Sequence, residues 1–232
     1  MKVLIACEES QRVCIAFRQH DFESYSADIQ EPSGNHPEWH VKDDVLKILN
    51  PCNNEIVFKT MDNNYHFIEK WDLIIAHPPC TFLTNTGNRW FNIEKYGDKA
   101  IKRYSERDKA MKFFMEFVNA DCEHIAIENP IGYMSTSYRK PDQIIQPYEY
   151  GHYERKATCL WLKNLPKLKP TNIVIPKIIK YKNGKGTDSP WHMNTMSLPP
   201  NERSRVRSKT FEGIAQAMSE QWGDYIKRGE TI

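Results

Sequence analysis

No apolar run in the 232-residue chain approaches the ~20 residues that a membrane-spanning helix requires. None of its six cysteines, at 7, 14, 52, 80, 122 and 159, stands in a CxxC pair. A zinc ribbon is therefore not expected, and the thiols are expected to be reduced and mostly buried as small hydrophobes. The phosphate-loop frame GxxxxGK[ST] is missing, so Gly184-Lys185-Gly186 is not read as a phosphate loop. There is no internal repeat and no low-complexity tract. The start, Met1-Lys2-Val3-Leu4-Ile5, turns acidic at Glu8-Glu9, too short and too soon charged for a signal peptide. A cytoplasmic location is expected. His36 and His40 stand four apart, but Pro37 between them and Gly34 before them point to a loop, and no metal is expected.

What is there fits a folded, water-soluble protein. Forty per cent of residues are hydrophobic and 12% aromatic, and the mean hydropathy is -0.68. That length supports one sizeable α/β domain with at most a small appendage. Charge is uneven. Residues 151–209 hold 13 Lys or Arg against Glu154, Asp188 and Glu202, a balance of +10, while the whole chain carries +2, leaving −8 for the rest. A basic stretch on an acidic protein is read as a contact for a polyanion, with a plain solvated surface as the equal alternative.

Periodicity gives the order of elements. Val3-Leu4-Ile5-Ala6 reads as a buried strand, Gln11 to His20 as a helix, and Ser24 to Ala27 as a strand ending at Asp28. Asp43-Asp44 caps a short helix at 45–49. Trp71 to Ala76 is the clearest strand, ended by His77-Pro78-Pro79-Cys80. Arg103 to Val118 reads as an amphipathic helix. His124 to Glu128 is a strand that Asn129-Pro130 should stop. After Trp161-Leu162, six prolines and one β-branched run, 172–179, suggest an irregular basic insertion over 163–209. Thr210 to Ile226 returns to helix, with positions 211, 214, 215, 218, 222 and 225 on one face. Trp161 and Trp222 are expected in the core. Strands alternating with helices imply an α/β fold with a mostly parallel sheet and helices on both faces. Ligands then bind beyond the carboxyl ends of the strands. Glu8, Asp28, Asp44, Cys80 and Glu128 all follow strands and should share that edge.

Two of these residues carry chemistry. Prolines 78 and 79 stiffen the approach to Cys80 and set its direction, which suits a nucleophile that must be aimed. A thiolate in an electropositive setting would make it reactive, whereas an isolated cysteine at a strand end is more often a buried small hydrophobe. Glu128 can hydrogen-bond the N3 and amino edge of a cytosine; protonated in a desolvated pocket, its pKa raised, it donates at N3 and makes C6 electrophilic. A glutamate opening a turn is the ordinary alternative. Trp90, Phe91 and Tyr96, with Arg89 and Lys95, suit either base stacking or core packing.

Taken together, Pro79-Cys80 and Glu128-Asn129-Pro130 resemble the Pro-Cys and Glu-Asn-Val motifs of the DNA cytosine C5-methyltransferases. Arg155-Lys156-Ala157-Thr158 approximates their Arg-x-Arg motif. Asp28, followed by Ile29, matches the acidic residue that binds the cofactor ribose, and Asp44-Val45 the aspartate that meets the adenine amino group. Phe211-Glu212-Gly213-Ile214-Ala215 is similar to their last helix motif. The order is the family's, and the likeness covers most of 1–162 and 210–223. It is nearest to short methylase-like proteins of the phage and prophage type.

The resemblance implies a Rossmann-like S-adenosylmethionine-dependent methyltransferase fold, with a catalytic domain of 1–162 and 210–232. It implies attack by Cys80 on C6 of a flipped-out cytosine, support of N3 by Glu128, and methyl transfer to C5. Arg155 would bind the base O2 or steady the Cys80 loop, and Pro79, Asn129, Lys156 and Thr158 would line the substrate site. Cys7, Glu8, Ser10, Asp28, Ile29, Asp44, Val45, His77 and Pro78 would line the cofactor site, Glu8 or Ser10 reaching its methionine end. The 163–209 segment would be a reduced target-recognition region whose cations meet DNA phosphates, duplex or single-stranded. Two departures stand out. Ala6-Cys7-Glu8-Glu9-Ser10-Gln11 has no glycine where the family is glycine-rich. His77-Pro78-Pro79-Cys80 also resembles the Asn/Asp-Pro-Pro-aromatic motif of amino-group methyltransferases, in which the first residue and a proline carbonyl hold the target amine. Amino-group methylation, or nucleic-acid binding without catalysis, are the alternatives.

Overall fold

The computed structural model describes residues 1–181, 184 and 186–229; Lys185 of the Gly-Lys-Gly triplet and the last three residues of 210–232 lie outside them. β1 (Lys2–Ala6) leads through a tight turn into α1 (Arg12–Gln19), then β2 (Glu23–Asp28) and β3 (His40–Lys42). A 3-10 turn at Val45–Ile48 precedes a hairpin, β4 (Ile56–Lys59) and β5 (Tyr65–Ile68). β6 (Leu73–Ala76) follows, then a loop, the one-turn α2 (Ile93–Tyr96) and the long α3 (Asp98–Val118). Next come β7 (His124–Pro130), α4 (Met134–Ser137), β8 (Gln143–Ile145) and β9 (Thr158–Lys163). The remainder is β10 (Ile179–Lys180), β11 (Thr187–Asp188), α5 (Pro190–Thr195), α6 (Pro200–Ser208) and α7 (Glu212–Lys227).

Seven strands form one sheet in the order β3-β2-β1-β6-β7-β9-β8. The first five are parallel, and β9 runs antiparallel to both of its neighbours. The fold is thus α/β with a mostly parallel central sheet. The central strands are apolar throughout because both of their faces are covered. Val3 to Ala6 and Leu73 to Ala76 are fully buried, and each Leu, Ile or Val contributes about 1.5–3 kcal/mol by leaving water. One face packs on α3 through Phe114 and Phe117, with Trp71, Phe58 and Tyr25 from the hairpin side. The other packs on α1 and α7 through Phe17, Ile214, Met218 and Trp222. The six positions expected on the inner face of α7 are all buried, as are Trp161 and Trp222. No helix among the described residues is long and apolar enough to cross a membrane.

Three expectations need correction. β7 does not stop at Glu128: Asn129 and Pro130 stay in register opposite Cys159 and Thr158. Proline fits there because it is the last residue of the ladder, where one missing donor is tolerated. The run at 172–179 yields only Ile179–Lys180 as strand, and Ile173 and Ile175 are exposed. Nor is 163–209 irregular throughout, since it holds α5 and α6, each opened by a proline at its first turn. Leu165 and Leu168 are buried in the α7 side of the core.

Candidate active site

Parallel strands bring their carboxyl ends to one edge, and the order reverses between β1 and β6. A crevice at such a reversal is where open α/β sheets bind ligands. The β1–α1 turn and the His77–Cys80 loop both begin there.

The β1–α1 turn is built without glycine but with left-handed backbone at Cys7 (φ 60) and Gln11 (φ 58). Such conformations cost a non-glycine residue roughly 1–2 kcal/mol, and surrounding bonds hold them. Gln11 donates to Ser26 Oγ at 3.2 Å and to the His36 carbonyl at 2.8 Å, and accepts from His36 N–H at 3.1 Å. Gly34 lies so close that a Cβ there would stand 2.6 Å from Gln11 Cβ. Glu8 folds back onto α1. Its carboxylate accepts from Val13 N–H at 2.7 Å, Cys14 N–H at 3.2 Å and Ser10 Oγ–H at 3.4 Å. The helix N-terminus, a ready anion site, is therefore filled by the chain's own carboxylate. Burial pushes the Glu8 carboxyl up, against the His77 charge and the Val13, Cys14 and Ser10 hydrogen bonds.

Asp28 and Asp44 lie on the same side. Burial, then the charges of Asp28 and Asp44, push the Cys7 thiol up. Asp28 accepts from Gln30 N–H at 2.9 Å, and Asp44 caps the following 3-10 turn through Leu46 N–H at 3.0 Å. Ile29 is 74% exposed beside Asp28, whereas Val45 is in the core. His40 is buried, bonded to Ser26 Oγ and the Gln30 carbonyl, and His36 pairs with Glu38.

On the other side of the reversal, His77 Nδ1 lies 3.5 Å from Glu128 Oε2. The His77 side chain is 9% exposed and that of Glu128 is 18% exposed. Pro78 is buried and Pro79 exposed. The loop turns back at once, Leu83 and Thr84 N–H both bonding the Cys80 carbonyl. Burial, then the Glu128 charge, push the Cys80 thiol up, while Lys156 and a backbone N–H pull it down less strongly. Glu128 goes the other way. Burial raises its carboxyl, but the His77 hydrogen bond, Lys156, the His77 charge and the Thr158 hydroxyl outweigh this, and the net direction is down. The free site therefore holds a protonated thiol beside a carboxylate, not the thiolate and carboxylic acid expected from sequence. Burial and Glu128 keep the proton on the thiol, and the His77 and Lys156 interactions outweigh burial at Glu128.

Cys80, Glu128, Lys156, Thr158 and His77 are thus brought together. Arg155 is not part of that group: its Nη2 donates to Thr187 Oγ1 at 3.0 Å, on the β10–β11 side. Its neighbour Lys156 is the cation whose charge reaches both Cys80 and Glu128. Asn129 also departs from its expected role. It is 1% exposed, and its Nδ2 donates to the Pro78 carbonyl at 2.8 Å, tying β7 to the Cys80 loop.

Three further residues set that loop, and sequence reading missed them. Arg103 and Arg107 of α3 donate to the carbonyls of Thr81 and Phe82, with Arg107 3.4 Å above the Phe91 ring. Gly132 packs on Leu83 so closely that a Cβ would stand 2.0 Å from its carbonyl oxygen. Trp90 is 42% exposed, with the Arg89 guanidinium 4.8 Å from its ring centroid. The basic segment divides. Arg205 pairs with Glu9, Arg207 bonds Thr195 and the His192 carbonyl, and Lys209 bonds Ser33. Lys177 and Lys180 face solvent. No protein-family model matches the chain, and no curated protein matches it; what the site does is carried by its own geometry.

Proposed function

We propose that the protein is an S-adenosylmethionine-dependent cytosine C5-methyltransferase acting on DNA, with a Rossmann-like methyltransferase fold. The observation that carries this reading is the meeting of Cys80, Glu128 and Lys156 at the carboxyl edge, next to the strand-order reversal. A cytosine bound there would have the Cys80 sulfur to attack C6 and the Glu128 carboxyl to hold N3.

The residues at β1, β2 and the β3 turn suit the cofactor. Asp28 and Asp44 offer acceptors for ribose hydroxyls and an adenine amino group, with Ile29 as an exposed apolar face beside them. The buried Nε2 of His77, which has no hydrogen-bond partner among the described residues, gives the site a further polar group. The glycine-free turn keeps the left-handed backbone that glycines would supply. The cofactor, when bound, supplies an electrophilic methyl group.

The chain's own residues manage the proton. At rest the proton stays on Cys80 sulfur and Glu128 is ionised. When a cytosine enters, the thiol proton passes to the Glu128–N3 hydrogen bond as sulfur bonds to C6, leaving electron density at C5. Lys156 stabilises the anionic charge while it moves. After C5 is methylated, its remaining proton passes to water, the C5–C6 double bond re-forms as the sulfur–C6 bond breaks, and the proton held at N3 returns to sulfur. One proton is released overall. Thr158 and His77 hold Glu128 in place, and Asn129 fixes the loop through Pro78. Cys80 stands where amino-group methyltransferases have a stacking aromatic, which weighs against amino-group methylation. Phosphate contacts fall to Lys177, Lys180 and their neighbours in the basic segment.

The test is mass spectrometry of nucleosides in DNA from cells expressing the wild type or Cys80→Ser. The expected result is 5-methylcytosine that depends on Cys80. N4-methylcytosine, N6-methyladenine, or no change from cells lacking the protein would overturn the proposal.

A further inference from the structure

Glu8 and Glu9 are adjacent, alike in charge and each 5% exposed, yet their surroundings differ completely. Glu8 is saturated by the amides of α1 and by Ser10. Neither carboxylate oxygen of Glu9 has a hydrogen-bond partner among the described residues. Its cation is Arg205 of α6, whose Nε lies 3.6 Å away, beyond a good hydrogen bond. A carboxylate taken out of water without donors is costly, so a chain that keeps one there has a use for it.

Its position says what the use is. The Glu9 carbonyl accepts Ser33 N–H at 2.8 Å, which fixes the β1–α1 turn against the loop after β2. The Glu9 and Asp28 charges both reach His40, whose ring nitrogens are occupied by Ser26 and Gln30. Glu9 therefore stands just past the end of β1, against the loop after β2 and at the rim of the crevice. With Glu8 filling the α1 N-terminus and two more carboxylates alongside, an anionic ligand group gains nothing there. A group rich in donors gains two unshared oxygens.

We infer that Glu9 is a ligand-binding carboxylate of this crevice, taking a hydroxyl or ammonium group of a nucleoside-type ligand, with Arg205 as its partner when no ligand is present. The inference rests on the reading of the crevice as a nucleoside-cofactor site, and it adds the α6 arginine as a strap over that site.

Calorimetry on the full chain tests it, titrating S-adenosylmethionine and 5′-methylthioadenosine into wild type, Glu9→Gln and Arg205→Met. Glu9→Gln is expected to bind S-adenosylmethionine at least ~10-fold more weakly, the loss of one charge-assisted hydrogen bond. Arg205→Met is expected to bind as tightly as wild type or tighter. A merely structural ion pair would instead weaken both variants alike, and that result overturns the inference, as does Glu9→Gln binding like wild type. Equal loss for both nucleosides assigns Glu9 to the ribose hydroxyls; loss for S-adenosylmethionine alone assigns it to the ammonium. If wild type binds neither nucleoside, the cofactor reading itself falls and the inference with it.

Discussion

Cys80 sits between a carboxylate that suppresses its ionisation and a lysine that promotes it, so its reactivity should answer to both in opposite directions. Glu128 is the largest charge raising the Cys80 thiol, and Lys156 the main charge lowering it. Removing one neighbouring charge moves a pKa by about 1–3 units. While the pKa stays above the working pH, each unit changes the thiolate fraction tenfold. Glu128→Gln should therefore speed alkylation of Cys80 by iodoacetamide at pH 7 by about tenfold or more, and Lys156→Met should slow it by about tenfold. Cys52 is the exposed cysteine, while Cys14, Cys122 and Cys159 are buried. The assay therefore uses a Cys52→Ser background and follows the Cys80 peptide by mass spectrometry over a range of pH. Equal rates in all three proteins would refute the reasoning, since Cys80 would not face either group. A slower rate in Glu128→Gln would refute it too.

Other outcomes follow from the same geometry. Asn129→Ala removes the donor to a buried carbonyl and should cost about 1–3 kcal/mol, a Tm loss of roughly 2–4 °C per kcal/mol in a chain of this size, with faster Cys80 alkylation as the loop loosens. Calorimetry that finds no change in Tm would contradict it. Gly132→Ala forces the Leu83 backbone away and should cost about 3 kcal/mol or more; an unchanged Tm would show that the close approach is not real. Stability against pH should separate Glu128 from Glu8. Glu128 is shifted down, so its contribution is fully present above its ordinary value near 4.5 and is lost as pH falls. The stability gap between wild type and Glu128→Gln should shrink as pH falls from 7 to 3.5 in urea titrations. Glu8 is shifted up, so its native state favours the proton, and wild type should gain on Glu8→Gln over the same descent. Gaps that stay constant would contradict both directions.

Much of the frame could be read from the residues because burial on both faces leaves a plain mark. Val3 to Ala6 and Leu73 to Ala76 are unbroken apolar runs, and Glu8 after the first and His77-Pro78-Pro79-Cys80 after the second stand at one edge. Position 222 and its partners on α7 were equally plain at helical spacing. The hairpin at 56–68 was not, since only one of its faces is covered and its turn residues, Asp62-Asn63-Asn64, lack the glycine that usually marks such a turn. The site was legible as a set of residue types but not as a set of charges. Arg155 and Lys156 are neighbours, and no sequence pattern says that it is Lys156 whose charge reaches Cys80 and Glu128. Glu8 and Glu9 are the same residue in succession, yet one caps α1 and the other has no hydrogen-bond donor among the described residues. The direction of the Glu128 shift depends on His77 and Lys156, 51 and 28 positions away, and no local pattern reveals that sum.

The most direct test uses an oligonucleotide carrying 5-fluorocytosine, in single-stranded and duplex form, with S-adenosylmethionine present. Fluorine at C5 cannot leave as a proton does, so sulfur stays bonded to C6. The account predicts a covalent protein–DNA adduct mapped to Cys80 and missing in Cys80→Ala. No adduct with either strand form, or one that persists without Cys80, would contradict it.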